Sequence, residues 1–113
     1  MRIRILLLLC MLCGASSAQA GEDNVHLRVL AASCAACHGT SGNSVGGTPV
    51  LAGLDPSHFM AQMLAFRSGT RESTVMRQHA KGLGEDEMTQ LAVYFGSLPR
   101  KAASSPLPLG EGW

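Results

Sequence analysis

Charge is sparse and nearly balanced in this chain: nine Lys and Arg stand against eight Asp and Glu in 113 residues, for a formal net charge of +1. No basic run occurs anywhere, which excludes a nucleic-acid surface of the ordinary electrostatic kind. Large rings are few: Phe59, Phe66, Tyr94, Phe95 and a terminal Trp113 are all the chain has. A domain this small buries only about 60% of its unfolded surface, so staples or cofactors help such chains fold. Something other than side chains is expected to fill the centre. No segment alternates apolar and polar residues as a half-buried strand does, and no internal repeat is visible. The longest apolar run, from Ile5 to Leu12, is too short to span a membrane, which takes about 20 residues.

That run has a different meaning. Arg2 and Arg4 precede it, and Ala18-Gln19-Ala20 follows with the small-x-small pattern read by signal peptidase. Residues 1–20 are therefore expected to be a signal peptide cleaved after Ala20. Two other readings of the segment are disfavoured. A retained anchor does not suit these flanks, and Leu12 is too bulky for the position before a lipidated Cys13. Cleavage removes two basic residues and no acidic ones, moving the formal charge from +1 to −1. It also removes Cys10 and Cys13, leaving Cys34 and Cys37. The expected destination is the periplasm by the general secretory route, with no membrane association after cleavage.

The remaining chain reads as helices and loops. Asp23 or Asn24 is placed to cap a first helix, with Val25, Val29, Leu30 and Ser33 at helical spacing. It runs into Cys34-Ala35-Ala36-Cys37-His38. Residues 39–47 are rich in Gly, Ser, Thr and Asn and mark a loop. Asp55-Pro56 is an N-cap followed by proline at the first helical position. Phe59, Met60, Met63, Leu64 and Phe66 follow, and Gly69 ends that helix after Arg67. A polar connector and a short turn over 76–81 lead to Glu85-Asp86-Glu87, negative charge where a helix N-terminus favours it. Met88, Leu91, Ala92 and Phe95 form the last apolar stripe, and Pro99 stops it. The fold class is all-α, three main helices with long loops, in one domain over 21–101. Residues 102–113 are expected to be a disordered tail. Loops of this length in a compact domain call for a cofactor to order them.

Cys34, Cys37 and His38 supply a site for one. Their C-x-x-C-H pattern is the attachment signature of c-type haem. Two thiols three positions apart reach the two vinyl groups of one haem, and the next residue offers an imidazole to the iron. Two other readings of the cysteines compete. A redox disulfide motif normally opens a helix beside a strand, and no strand is predicted. A zinc site lacks a third cysteine and a paired histidine spacing.

Cys34 to His38, Gly39-Thr40, Gly42-Asn43-Ser44, Thr48 to Gly53, Phe66-Arg67-Ser68-Gly69, Ser73 to Met76 and Ala80-Lys81-Gly82 together resemble class I cytochromes c. The run is similar to a haem domain of the cytochrome subunit of flavocytochrome c sulfide dehydrogenase. That subunit commonly carries two haem domains; this chain has a single C-x-x-C-H. The resemblance implies a small class I fold around one covalent haem c, with His38 and Met76 as axial ligands to iron. It also implies that a backbone carbonyl at Pro49 accepts the proximal imidazole N–H. Met60 and Met63 are explained by core packing, as is Met88 in the last helix. His79 is the competing sixth ligand, while His26 and His58 are expected on solvent-facing N-terminal helix turns. The implied function is one-electron transfer, with a redox partner such as an FAD-containing sulfide dehydrogenase subunit. The alternative is a haem enzyme or gas sensor with an open sixth position.

Overall fold

The computed structural model describes residues 16–102. Most of the expected signal peptide and the tail from residue 103 lie outside them. Among the described residues four α-helices carry the fold: α1 (Ser16–His38), α2 (Pro56–Ser68), α3 (Thr74–Gly82) and α4 (Glu85–Ser97), with a 3-10 turn over Thr40–Gly42. No strand occurs among the described residues. The all-α class holds, and the three expected helices are joined by a fourth. The region expected to hold a short turn over 76–81 is a full helix, α3. Its N-cap is Ser73, whose hydroxyl accepts the Met76 N–H at 3.1 Å. No glycine or proline interrupts it before Gly82, so the cap starts a helix that nothing stops.

The first helix also differs from expectation at its start. It begins at Ser16 and passes through Asp23 and Asn24 without using them as caps. Ala18, Gln19, Ala20 and Glu22 favour helix, and no proline breaks the run. One consequence is that His26 lies mid-helix, not on a first turn. Farther along, Leu27, Leu30, Ala31 and Cys34 fall on one face at three- and four-residue spacing. Ala31 is buried in the core and the other three pack against it. Through this face α1 packs on α4.

Helix α2 follows its sequence signals closely. The Asp55 carboxylate accepts the His58 N–H at 2.9 Å, and Pro56 opens the helix. Gly69 closes it in the left-handed conformation at φ 86°, its N–H reaching the Ala65 carbonyl at 3.0 Å. Phe59, Met63 and Phe66 are buried at four- and three-residue spacing.

At the start of α4, the Glu87 carboxylate accepts the Gly84 N–H at 2.8 Å, satisfying a donor the helix leaves free. Met88, Leu91, Ala92 and Phe95 are buried, and Phe95 stacks on Phe59 with centroids 6.3 Å apart. The centre therefore joins α1, α2 and α4.

Arg67 ties in α3. Its guanidinium donates to the Ala80 carbonyl at 3.0 Å and to the Leu83 carbonyl, at the end of α3 where carbonyls lack helical partners. The same side chain lies 3.6 Å from Glu85.

Candidate functional site

The C-terminal turn of α1 carries Cys34, Cys37 and His38. Neither cysteine is in a disulfide; Cys34 is half-buried and Cys37 exposed. Burial pushes the Cys34 thiol above its ordinary range, against a smaller opposing hydrogen bond from Ser33. It is held as a neutral thiol. The zinc reading gains no support, since no group of three or more metal-binding side chains occurs among the described residues.

His38 is the polar side chain of the core, 7% exposed. Its Nδ1 lies 2.7 Å from the Pro49 carbonyl oxygen. A carbonyl can only accept, so Nδ1 carries a proton, and in the neutral ring the lone pair is then on Nε2. A neutral imidazole with a fixed ring and a basic Nε2 is what a metal ligand requires.

The loop that supplies Pro49 is built to hold it there. Thr48 donates its hydroxyl to the Cys37 carbonyl at 2.6 Å, and Ser44 and Thr48 hydroxyls lie 2.8 Å apart. The Gly42 carbonyl accepts the N–H groups of Leu51 and Ala52 at 2.8 and 3.1 Å. Gly42 has φ 71°, and a β-carbon there would stand 2.8 Å from Phe95 Cδ1. Only glycine lets the loop lie on α4 so closely. Asn43 closes the far end, donating to the Pro99 carbonyl at 3.2 Å and accepting the Lys101 N–H at 2.8 Å. Haem contact aside, the Gly42-Asn43-Ser44 and Thr48-Pro49 segments are explained by these bonds.

Met76 lies in the first turn of α3, not in an open connector, and is half-buried against the core cluster. Met63 and Met88 are buried core residues and Met60 packs against them, as their spacing implies. His58 and His79 are exposed. His26 is exposed as well, but its Nε2 pairs with Glu87 at 2.6 Å. The structure thus brings His38 and Pro49 together, sets Cys34 and Cys37 one turn apart, and places Met76 on a separate helix. Two contributors were not singled out from sequence: Thr48, which anchors the loop, and Arg67, which fixes the helix bearing Met76. A lone arginine on an otherwise apolar helix face was the available sign for the second.

Comparison with known proteins identifies the family. The family model described as Cytochrome c matches residues 28–99. The chain belongs to the cytochrome c family. A covalently bound haem c with its iron comes with that membership, and the chain's homologues are electron-transfer subunits or acceptors. It is 44% identical over 73 residues to the cytochrome subunit of sulfide dehydrogenase from Chlorobaculum tepidum, covering 65% of this chain and 66% of that one. Identity is 40% over 82 residues to a thiosulfate dehydrogenase electron acceptor from Thiomonas intermedia, covering 71% of this chain and 38% of the relative. Cytochrome c-554(547) of Halothiobacillus neapolitanus is 32% identical over 90 residues, with 70% of this chain and 99% of the relative covered. The chain thus spans just under two thirds of the first relative and little more than a third of the second. The donor set fits a haem: two unpaired thiols on one helical turn and an imidazole whose Nε2 lone pair is free for iron.

Proposed function

We propose that this cytochrome c is exported, takes up electrons singly from a flavoprotein that oxidises a reduced sulfur compound, and passes them on. Cys34 and Cys37 hold the haem. Each thiol would be joined to the haem by addition across one vinyl group, sulfur to one carbon and hydrogen to the other, with no leaving group. His38 Nε2 and the Met76 thioether sulfur would ligate its iron. The haem supplies a reversible one-electron iron couple when bound. The chain's own residues set its surroundings. Pro49 fixes the imidazole tautomer through its carbonyl and raises the basicity of Nε2, and a methionine sulfur opposite favours reduced iron. With both side chains on the iron no substrate would reach it, which is why a carrier is proposed over a gas sensor or a haem enzyme.

The observation that carries this reading is the buried His38 ring held 2.7 Å from the Pro49 carbonyl. Export rests on Arg2, Arg4, the apolar run and Ala18-Gln19-Ala20, with cleavage after Ala20 and a haem domain over 21–101. Among the described residues no helix is long and apolar enough to cross a membrane. Similarity to proteins named for sulfide and thiosulfate dehydrogenases supports a donor in inorganic sulfur oxidation. An FAD-containing sulfide dehydrogenase subunit is the donor proposed.

Mixing the purified haem protein with such a subunit and sulfide tests the assignment. Rapid haem reduction with stable co-elution is expected of a subunit, and reduction without co-elution of a diffusing carrier. No reduction would remove the sulfide assignment, and a thiosulfate dehydrogenase in its place tests the other sulfur donor.

A further inference from the structure

Helix α3 carries Met76, yet little of its own sequence holds it in place. It has nine residues, and Ala80 is the one it fully buries. Val75, the other large aliphatic side chain on it, is 57% exposed. Helices shorter than about 12 residues are marginal by themselves in water, so packing and end contacts decide where α3 sits. It packs on α2. At its start the Ser73 hydroxyl accepts the Met76 N–H. At its end the Ala80 carbonyl would ordinarily accept the Gly84 N–H, but the Glu87 carboxylate has taken that donor. Arg67 Nε replaces it at 3.0 Å, and Arg67 Nη2 donates to the Leu83 carbonyl in the turn beyond. One guanidinium thus spans the last turn of α3 and the connection to α4. Met76 and Ala80 lie four residues apart on one helical face, so whatever holds Ala80 down also sets the position of Met76.

We infer that Arg67 is a positioning residue for the sixth iron ligand: its fork on the Ala80 and Leu83 carbonyls keeps α3 seated on α2, and so keeps the Met76 sulfur on the iron. This rests on the reading of Met76 as that ligand. The other neighbours of Arg67 contribute less. Glu85 lies 3.6 Å from the guanidinium, but its side chain is 75% exposed, and ion pairs in water are worth little. The Met88 sulfur, at 4.0 Å, is a weak acceptor. The two carbonyls stand at a helix C-terminus, where partial negative charge favours a cation, and hydrogen bonds from a charged donor are stronger than neutral ones. Without Arg67 both carbonyls lose that donor, and the low-cost way to satisfy them is for the end of α3 to lift into water. Met76 lifts with it. A lysine does not replace the fork, because its single ammonium on a flexible stem has no paired, fixed donors.

Imidazole added to the oxidised haem protein reads this motion. It binds iron only while Met76 is off it, so its apparent affinity rises with that open fraction. Arg67→Met keeps most of the stem and removes the donors. It should tighten imidazole binding about tenfold, the change expected from losing one hydrogen bond to a charged group. The methionine-to-iron charge-transfer band should weaken, and amide hydrogen exchange in α3 should quicken. Arg67→Lys should show the same changes to a smaller extent, and it carries the test if Arg67→Met yields no folded haem protein. Glu85→Gln should stay within about twofold of wild type. Asp55→Ala, which removes the N-cap at the opposite end of α2, controls for general loosening and should leave imidazole affinity unchanged. Wild-type imidazole affinity in the Arg67 variants would overturn the proposal, and so would an equal rise in Asp55→Ala. A wild-type protein without the charge-transfer band would remove Met76 as the ligand, and with it the reading beneath this inference. A wild-type band that the Arg67 variants leave intact would remove the role of Arg67 alone.

Discussion

His38 and Met76 would hold the iron, and different forces fix each of them. His38 is fixed by one short hydrogen bond to the Pro49 carbonyl, and that bond depends on a loop anchored by Thr48 and seated by Gly42. Met76 is fixed by the helix it rides on. Replacing Met76 with alanine should leave the haem attached, convert the spectrum to one with an open or water-filled sixth position, and lower the reduction potential, since thioether sulfur favours reduced iron. An unchanged spectrum and potential would transfer the ligand role, with His79→Ala the next variant to measure. Cys34→Ser leaves a single thioether and a small core poorly held, so the yield of folded haem protein should fall sharply in periplasmic extracts. Wild-type amounts of folded, haem-free Cys34→Ser protein would contradict the attachment.

Among the elements, α3 carries the most consequence for its size. Its nine residues begin at the Ser73 cap and end where Arg67 satisfies the Ala80 and Leu83 carbonyls. Ser73→Ala should cost about 1 kcal/mol of stability in denaturant titration, as loss of an N-cap generally does. Gly42→Ala should be worse than an ordinary glycine replacement, because φ 71° disfavours alanine and its methyl would meet Phe95. The α4 start makes a pH-dependent contribution. The Gly84 N–H, and after it His26, hold the Glu87 carboxyl below its ordinary range. A carboxyl with a depressed folded pKa stabilises above its unfolded value, about 4.3, and that stabilisation is lost as pH falls through the folded value. Glu87→Gln should therefore be less stable than wild type above about pH 5, with the gap closing in acid; a gap that persists at low pH would contradict this. These elements were unequally legible in the sequence. Helices α2 and α4 were plain because Asp55-Pro56, Gly69 and the acidic triplet are local signals. Helix α3 was not, because its apolar face consists of little more than Met76 and Ala80 and its far end depends on Arg67, 13 residues before Ala80. The start of α1 was misplaced for the opposite reason: Asp23 and Asn24 are good caps, but the residues before them are equally good helix.

For the whole molecule, haem binding was legible because C-x-x-C-H places three chemical roles on adjacent positions. The loop network behind His38 was not derivable from residue chemistry alone, since Gly42 against Phe95 and Asn43 against Pro99 are contacts between distant segments. The core beneath the site is small, and Leu91 is fully buried within it. Leu91→Ala should cost about 2–5 kcal/mol, a large part of the 5–15 kcal/mol that usually holds a domain folded. The haem protein should tolerate that loss better than chain from which haem was never attached, and thermal unfolding of both compares them. Everything proposed for the site requires that Cys34 and Cys37 hold one haem whose iron lies between His38 and Met76. Its most direct test is the visible spectrum of the purified protein, taken before and after denaturation with removal of any free haem. Six-coordinate low-spin bands are expected in the folded protein, with haem that stays with the unfolded polypeptide. A high-spin folded spectrum would contradict the Met76 assignment, and haem that separates on denaturation, or none at all, would contradict covalent attachment.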